Sequence, residues 1–166
     1  ISHARVSILV GTFGKAFGTA GAFVAGSREL IAYLPNYARD YVYSTHMPAA
    51  QAVATRAALR WVQQADAERA HLQQLIRQFR QGASELGLTL LPSQTAIQPL
   101  MIGDSVEAIE VAQRLQALGC WVSAIRPPTV PQGMARLRLT LTAAHSTADI
   151  DQLLGALALC QERLHG

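Results

Sequence analysis

Apolar positions along the chain follow two different textures, and the change from one to the other falls near residue 66. Val6-Ser7-Ile8-Leu9-Val10 is a short apolar run ending at a glycine, the pattern of a strand covered on both faces in a parallel or mixed sheet. Ala20 to Ala25 forms a second short run between glycines, and Asp40-Tyr41-Val42-Tyr43-Ser44-Thr45 offers a third, with aromatic and β-branched residues. Pro48 suits a first helical turn, and Ala50, Val53, Ala54, Ala57, Ala58, Trp61 and Val62 on one face then predict a long helix.

From about Asp66 amphipathic helices alternate with paired strands. Leu72, Leu75, Ile76, Phe79 and Ala83 predict a helix over 71–86 that stops at Gly87. Leu88 to Leu91 and Ala96 to Ile102 read as strands. Asp104 and Glu107 have the spacing of a capping box before Val106, Ile109, Ala112, Leu115 and Leu118, and Gly119 ends that helix. Trp121 to Ile125 is again strand-like. Arg136-Leu137-Arg138-Leu139-Thr140-Leu141-Thr142 alternates, so its leucines face a core and its arginines and threonines face away. Ser146 and Asp149 introduce a last helix through Ile150, Leu153, Leu154 and Leu157. Three helices on one face of a small antiparallel sheet make an α+β unit.

With 166 residues, 50% of them apolar, the chain has the material for one sizeable core or two small ones. The first sixty residues do not complete a domain by themselves, because a buried strand needs neighbours and covering helices that this segment does not supply. There is no initiator methionine, and Ile1-Ser2-His3 stands just before a strand, so the chain reads as a fragment with more sequence upstream. It has neither a run of roughly 18 apolar residues nor an export signal, which points to the cytoplasm. Cys120 and Cys160 have no metal-ligand spacing and read as buried free thiols. A net charge of +3, with arginines scattered among acids, gives nucleic-acid binding little support.

The fourteen basic residues comprise thirteen arginines and one lysine, Lys15, inside Gly11-Thr12-Phe13-Gly14-Lys15-Ala16-Phe17-Gly18. A guanidinium never deprotonates usefully, whereas a desolvated amine can act as nucleophile or base, so chemistry explains the exception. As a nucleotide-binding P-loop the segment fails, since that motif needs four residues between its glycines and Ser or Thr after the lysine. A plain turn between two strands is compatible with the glycines. A third reading is a cofactor lysine on a loop after a strand, with Thr12 offering a hydroxyl to a phosphate and desolvation lowering the amine's pKa.

Thr12-Phe13-Gly14-Lys15-Ala16-Phe17-Gly18 resembles the cofactor-lysine segment of the α-oxoamine synthases, pyridoxal-phosphate enzymes of the aspartate-aminotransferase-like fold. Tyr43-Ser44-Thr45-His46-Met47-Pro48 and Ala124-Ile125-Arg126-Pro127-Pro128-Thr129-Val130-Pro131 fit the same family in the same order, so the likeness runs from Val6 to the end. It implies an α/β fold. Residues 1–65 would be the remnant of the cofactor-binding large domain, with a mixed, mostly parallel sheet and a connecting helix. Residues 66–166 would be the small α+β C-terminal domain with its antiparallel sheet.

Within the family, Gly119-Cys120-Trp121-Val122, the two prolines after Arg126 and the stretch 137–145 are most similar to the branch that joins L-alanine to a pimeloyl thioester in biotin biosynthesis. The thioester would be pimeloyl-CoA or a pimeloyl-carrier protein. Branches that make aminolevulinate, aminoketobutyrate or ketosphinganine are the alternatives.

The resemblance implies that Lys15 carries pyridoxal 5'-phosphate as a Schiff base and then moves protons at the substrate's α-carbon. Thr12 would bond the cofactor phosphate, and Ser44 and Thr45 would reach the phosphate of the neighbouring subunit in a homodimer. Arg126 would clamp the amino-acid carboxylate, with Thr129 as a weaker companion. His46 receives no role, and His145 reads as a local structural residue. An aspartate at the pyridine nitrogen and two histidines at the ring, which the family also needs, would lie upstream of Ile1. The segment alone is therefore expected to lack synthase activity, and a folded, non-catalytic assembly module is the rival reading.

Overall fold

The computed structural model describes residues 5–160, so the first four residues, Ile1-Ser2-His3 among them, and the last six lie outside the described part. The chain divides into two compact units, Ile1–Ala65 and Asp66–Gly166.

In the first unit β1 (Leu9–Thr12) pairs antiparallel with β2 (Ala22–Ala25), in a register running from Leu9↔Ala25 to Thr12↔Ala22. The apolar run beginning at Val6 thus enters the ladder only from Leu9. Ser27 caps α1 (Arg28–Tyr37), its hydroxyl accepting from the Leu30 N–H at 3.2 Å, and Tyr33 stacks on Tyr37 with ring centroids 4.2 Å apart. A third strand was expected over Asp40–Thr45. The structure instead forms a short helix, α2 (Arg39–Val42), with the Tyr43 N–H donating to the Arg39 carbonyl at 3.0 Å. The Ser44 hydroxyl turns back onto the Asp40 carbonyl. Short apolar runs do not choose between strand and helix by periodicity, and this local side-chain bond favours the helical turn. Pro48 caps the Ala-rich α3 (Ala49–Gln64).

Among the described residues, no hydrophobic side chain of this unit is buried; Ile8 is 56% exposed and Val10 64%. The covering layers that so apolar a strand requires do not come from within the unit.

The second unit holds the core. Its elements are α4 (Asp66–Glu85), β3 (Ile97–Gly103), α5 (Ser105–Ala117), β4 (Ser123–Ile125), β5 (Ala135–Thr140) and α6 (Thr147–Ala158). The sheet order is β3-β5-β4, antiparallel throughout. Ala135, Leu137 and Leu139 of β5 are buried while Arg138 and Thr140 are exposed, so the alternation in the sequence becomes two different sheet faces. The buried leucines pack in one cluster with Leu75, Ile76 and Phe79 of α4, Val111 and Leu115 of α5, and Ile150 and Leu157 of α6. Each such side chain contributes roughly 1.5–3 kcal/mol relative to exposure.

Helix ends follow the polar signals. Asp104 Oδ1 accepts from the N–H groups of Val106 and Glu107 at 2.8 and 3.0 Å. At α6 Ser146 and Asp149 satisfy each other's backbone N–H in a full capping box. Gly119, at φ +85°, takes the left-handed turn after α5. The strand expected over Leu88–Leu91 is reduced to a single bridge, Leu90↔Leu100. Pro99 accepts from the Leu91 N–H at 3.0 Å but has no N–H to return to the Leu91 carbonyl, so the ladder stops there.

Candidate active site

The segment that carries Lys15 is the tip of the β1–β2 hairpin. At its base the Phe13 N–H donates to the Gly21 carbonyl at 2.9 Å and the Thr19 N–H to the Phe13 carbonyl at 3.0 Å. Within the tip the Gly18 N–H closes a turn on the Lys15 carbonyl at 2.8 Å, with Gly18 at φ +63°, where a side chain is strained. Three half-buried rings support this loop. Phe13 meets Phe17 edge-on and lies at 30° to Phe23, both with centroids 5.5 Å apart. With Phe13 and Phe17 turned to that cluster, Lys15 is left at the exposed tip.

Two further contacts fasten the hairpin within the first unit. The Thr19 hydroxyl lies 2.8 Å from that of Thr55 on α3. The terminal methyl of Met47 occupies the space a side chain on Gly21 would need, which ties the Ser44–Pro48 segment to the lysine hairpin. Neither link was predicted. The available signals were a lone threonine in an alanine-rich helix and a glycine, at φ +99°, following the lysine turn.

Thr12, Lys15, Ser44 and Thr45 therefore belong to segments joined in the first unit, and all four are exposed. The desolvation expected for the Lys15 amine is not supplied by the described residues, because this unit has no buried apolar layer to provide it. As a donor set, one primary amine and several hydroxyls suit a group that combines an aldehyde with a phosphate. A Cβ built on Gly18 would meet nothing within 4 Å, so open space adjoins the lysine turn. Ser44 donates its one hydroxyl proton to the Asp40 carbonyl, and serving a phosphate would require it to leave that acceptor.

Arg126 and Thr129 belong to the second unit. Arg126 follows β4 directly, one residue past the pair Ile125↔Arg136, and the Thr129 N–H donates to its carbonyl at 3.0 Å. The peptide between Pro127 and Pro128 is cis. Both side chains are exposed at this bend.

His145 is held locally. Its Nδ1 accepts from the Thr142 N–H at 3.1 Å, and its carbonyl accepts from His71 Nε2 at 2.8 Å. Cys120 and Cys160 are free thiols, half-buried and buried, and burial raises the pKa of both, which suits packing more than nucleophilic chemistry. Two cavities are of similar size. One of about 330 Å³ lies beside Cys120, Trp121 and His145, and one of about 360 Å³ lies between β2 and α1, lined by Phe23, Ile31, Leu34 and Tyr41. Neither is lined by a predicted site residue. Among the described residues no group of acidic, histidine or cysteine side chains is arranged to hold a metal, and no helix is long and apolar enough to cross a membrane.

Residues 2–157 match the family model for aminotransferase class I and II. Over 160 residues the chain is 59% identical to 8-amino-7-oxononanoate synthase of Aeromonas salmonicida strain A449, an alignment covering 96% of this chain and 40% of the relative. The enzyme of the same name from Thioalkalivibrio sulfidiphilus is 59% identical over 157 residues, covering 95% and 40%. Among solved structures, serine palmitoyltransferase of Sphingomonas wittichii superposes with a TM-score of 0.91 at 31% identity, covering 98% of this chain and 41% of that one. 8-Amino-7-oxononanoate synthase of Francisella tularensis gives 0.86 at 29%, covering 99% and 48%. The chain spans about 40% of the length of the curated relatives it matches.

Proposed function

Because the chain belongs to the aminotransferase class I and II family, we propose that the complete protein is a pyridoxal-phosphate-dependent acyltransferase, an 8-amino-7-oxononanoate synthase. It joins L-alanine to a pimeloyl thioester, carried on coenzyme A or a carrier protein, with loss of carbon dioxide. The observation that carries this reading is the single lysine of the segment, set at the tip of a hairpin braced by three phenylalanine rings. Identity of 59% to relatives bearing that name supports the substrate pair over the serine palmitoyltransferase likeness, which stands at 31%. Backbone similarity alone does not choose between them, since one fold hosts several chemistries.

Pyridoxal phosphate, when bound, supplies an electron sink for the charge that develops at the amino acid's α-carbon. The chain's own residues hold and orient. Lys15 bears the amine that would hold the cofactor through its aldehyde, and that amine is the group that would take and return a proton at the α-carbon. Thr12 donates its hydroxyl proton to the cofactor phosphate. Ser44 and Thr45 serve the phosphate of the neighbouring subunit in a homodimer. Arg126 offers two parallel N–H donors to the amino-acid carboxylate, which fixes the direction of the α-hydrogen, and Thr129 assists at the same bend.

The deciding experiment uses the complete protein. Its visible spectrum is compared with that of Lys15→Ala, and the wild type is then treated with borohydride and its peptides mapped. The reading expects a cofactor band lost in the variant, label on Lys15, and an amino ketone formed from alanine and a pimeloyl thioester. Label on any other residue overturns it.

A further inference from the structure

The backbone ladder closes the base of the lysine hairpin, while its hydroxyl tie to α3 is a single bond, Thr19 to Thr55. Thr55 is 8% exposed, the one buried side chain among the described residues of the first unit. Each hydroxyl has one proton to give. Thr55 donates to the Gln51 carbonyl one turn earlier at 2.9 Å. Its oxygen therefore accepts from Thr19, whose other acceptor, the Phe13 carbonyl, lies at 3.4 Å and already takes the Thr19 N–H at 3.0 Å. The result is a directed relay, Thr19 to Thr55 to the Gln51 carbonyl.

Threonine is a poorer helix former than alanine, and a buried hydroxyl costs free energy unless it is bonded. An alanine-rich helix that puts its one threonine at the buried position gives up helix propensity for a directional contact. The atom it fixes belongs to Thr19, next to the glycine that closes the turn on Lys15. Apolar packing by Phe13, Phe17 and Phe23 holds the loop in place but tolerates sliding. A hydrogen bond does not, since it weakens steeply with angle.

We propose that Thr55 is a positioning residue for Lys15, acting through the Thr19 hydroxyl to set the orientation of the lysine turn on α3. This rests on the reading of Lys15 as the cofactor-bearing residue.

The test uses the complete protein as wild type, Thr55→Val, Thr55→Ser, Thr19→Val and the double valine variant. In cofactor-free protein, amide hydrogen exchange across 13–19 is expected to quicken about fivefold in either valine variant, the value of one ordinary hydrogen bond. The double variant should match the singles, because both remove the same bond. With cofactor bound, the pH at which the visible band titrates is expected to move in the valine variants and to return to the wild-type position in Thr55→Ser. Loss should appear in kcat more than in KM for the amino acid. An unmoved exchange rate or band midpoint in Thr55→Val overturns the proposal, as does quicker exchange spread over all of α3 with the midpoint unmoved, which marks a structural staple only. If Thr55→Val does not fold, Thr19→Val removes the same bond and is judged by the same two readouts. Borohydride label on Lys15 with an unmoved valine spectrum sinks this inference alone, whereas label elsewhere sinks the cofactor reading and this inference with it.

Discussion

Arg80 of α4 donates from Nη1 to the Oε1 of Gln98 on β3 at 2.7 Å, and Gln98 has no exposed surface. The amide's other end is also satisfied, its Nε2 donating to the Thr95 carbonyl at 2.6 Å, while Arg80 reaches the Leu91 carbonyl at 3.3 Å. A buried amide bonded to a guanidinium thus joins helix to sheet inside an otherwise apolar layer. Gln98→Leu would leave the guanidinium with one weaker acceptor and is expected to destabilise the second unit by about 1.5–3 kcal/mol, the worth of a hydrogen bond to a charged group. Urea unfolding checks it, and a change below about 0.5 kcal/mol would show that water replaces the amide without loss.

The two units should differ in autonomy. Every buried hydrophobic side chain among the described residues lies between Leu75 and Cys160. A chain of residues 66–166 is expected to unfold cooperatively by itself, and a chain of residues 1–65 to show no cooperative transition. Within the longer piece Leu137→Ala, which opens the centre of β5, should cost about 2–5 kcal/mol. Calorimetry of the two pieces decides the first point and denaturant titration the second.

Acid should loosen the caps of α5 and α6. The N–H groups of Glu107 and Val106 hold the Asp104 carboxyl below its ordinary 3.8, and the backbone N–H and then the hydroxyl of Ser146 do the same for Asp149. With a depressed native pKa the unfolded chain binds more protons, so stability rises with pH. The contribution is complete above 3.8 and is lost as pH falls through the lower native values. The double variant Asp104→Asn with Asp149→Asn is expected to lose less stability than the wild type across that acid window. Parallel acid-denaturation curves would contradict this.

Removing the α6 cap has its own signature. Ser146 Oγ accepts from the Asp149 N–H at 3.2 Å and donates to its carboxylate at 2.8 Å. Ser146→Ala is expected to cost about 1 kcal/mol, and Ser146→Asp, which keeps an acceptor but sets two carboxylates side by side, to recover only part of it. Thermal midpoints of the 66–166 piece provide the measure.

Arg126→Lys tests the proposed carboxylate clamp. An ammonium cannot offer two coplanar N–H donors, so kcat/KM for the amino acid is expected to fall roughly ten- to hundredfold while the thioester KM stays near its wild-type value. An equal loss for both substrates would argue that the bend itself had changed.

The second unit was largely legible from the sequence. Its strands and helices are amphipathic, and both periodicities are local properties of the chain: Leu137 and Leu139 had to share a face, and Asp104 and Ser146 had to sit where helices begin. The first unit was less legible. Asp40–Thr45 looks like a strand by composition, yet Ser44 bonds back to Asp40 and the segment coils. The helix α1 did have local signals, Ser27 at its N-cap, Glu29 in its first turn and Leu30, Ile31 and Leu34 at helical spacing, but Pro35 inside the segment obscured them.

The sequence by itself determined that one amine stands among thirteen arginines, that glycines and phenylalanines surround it, and that three motifs occur in one family's order. Only the tertiary structure decided that Thr19 meets Thr55, that Met47 fills the space over Gly21, and that Gln98 is buried beneath Arg80. A hydrogen bond between residues far apart in the chain leaves no period behind it, since either partner taken alone could equally well face water.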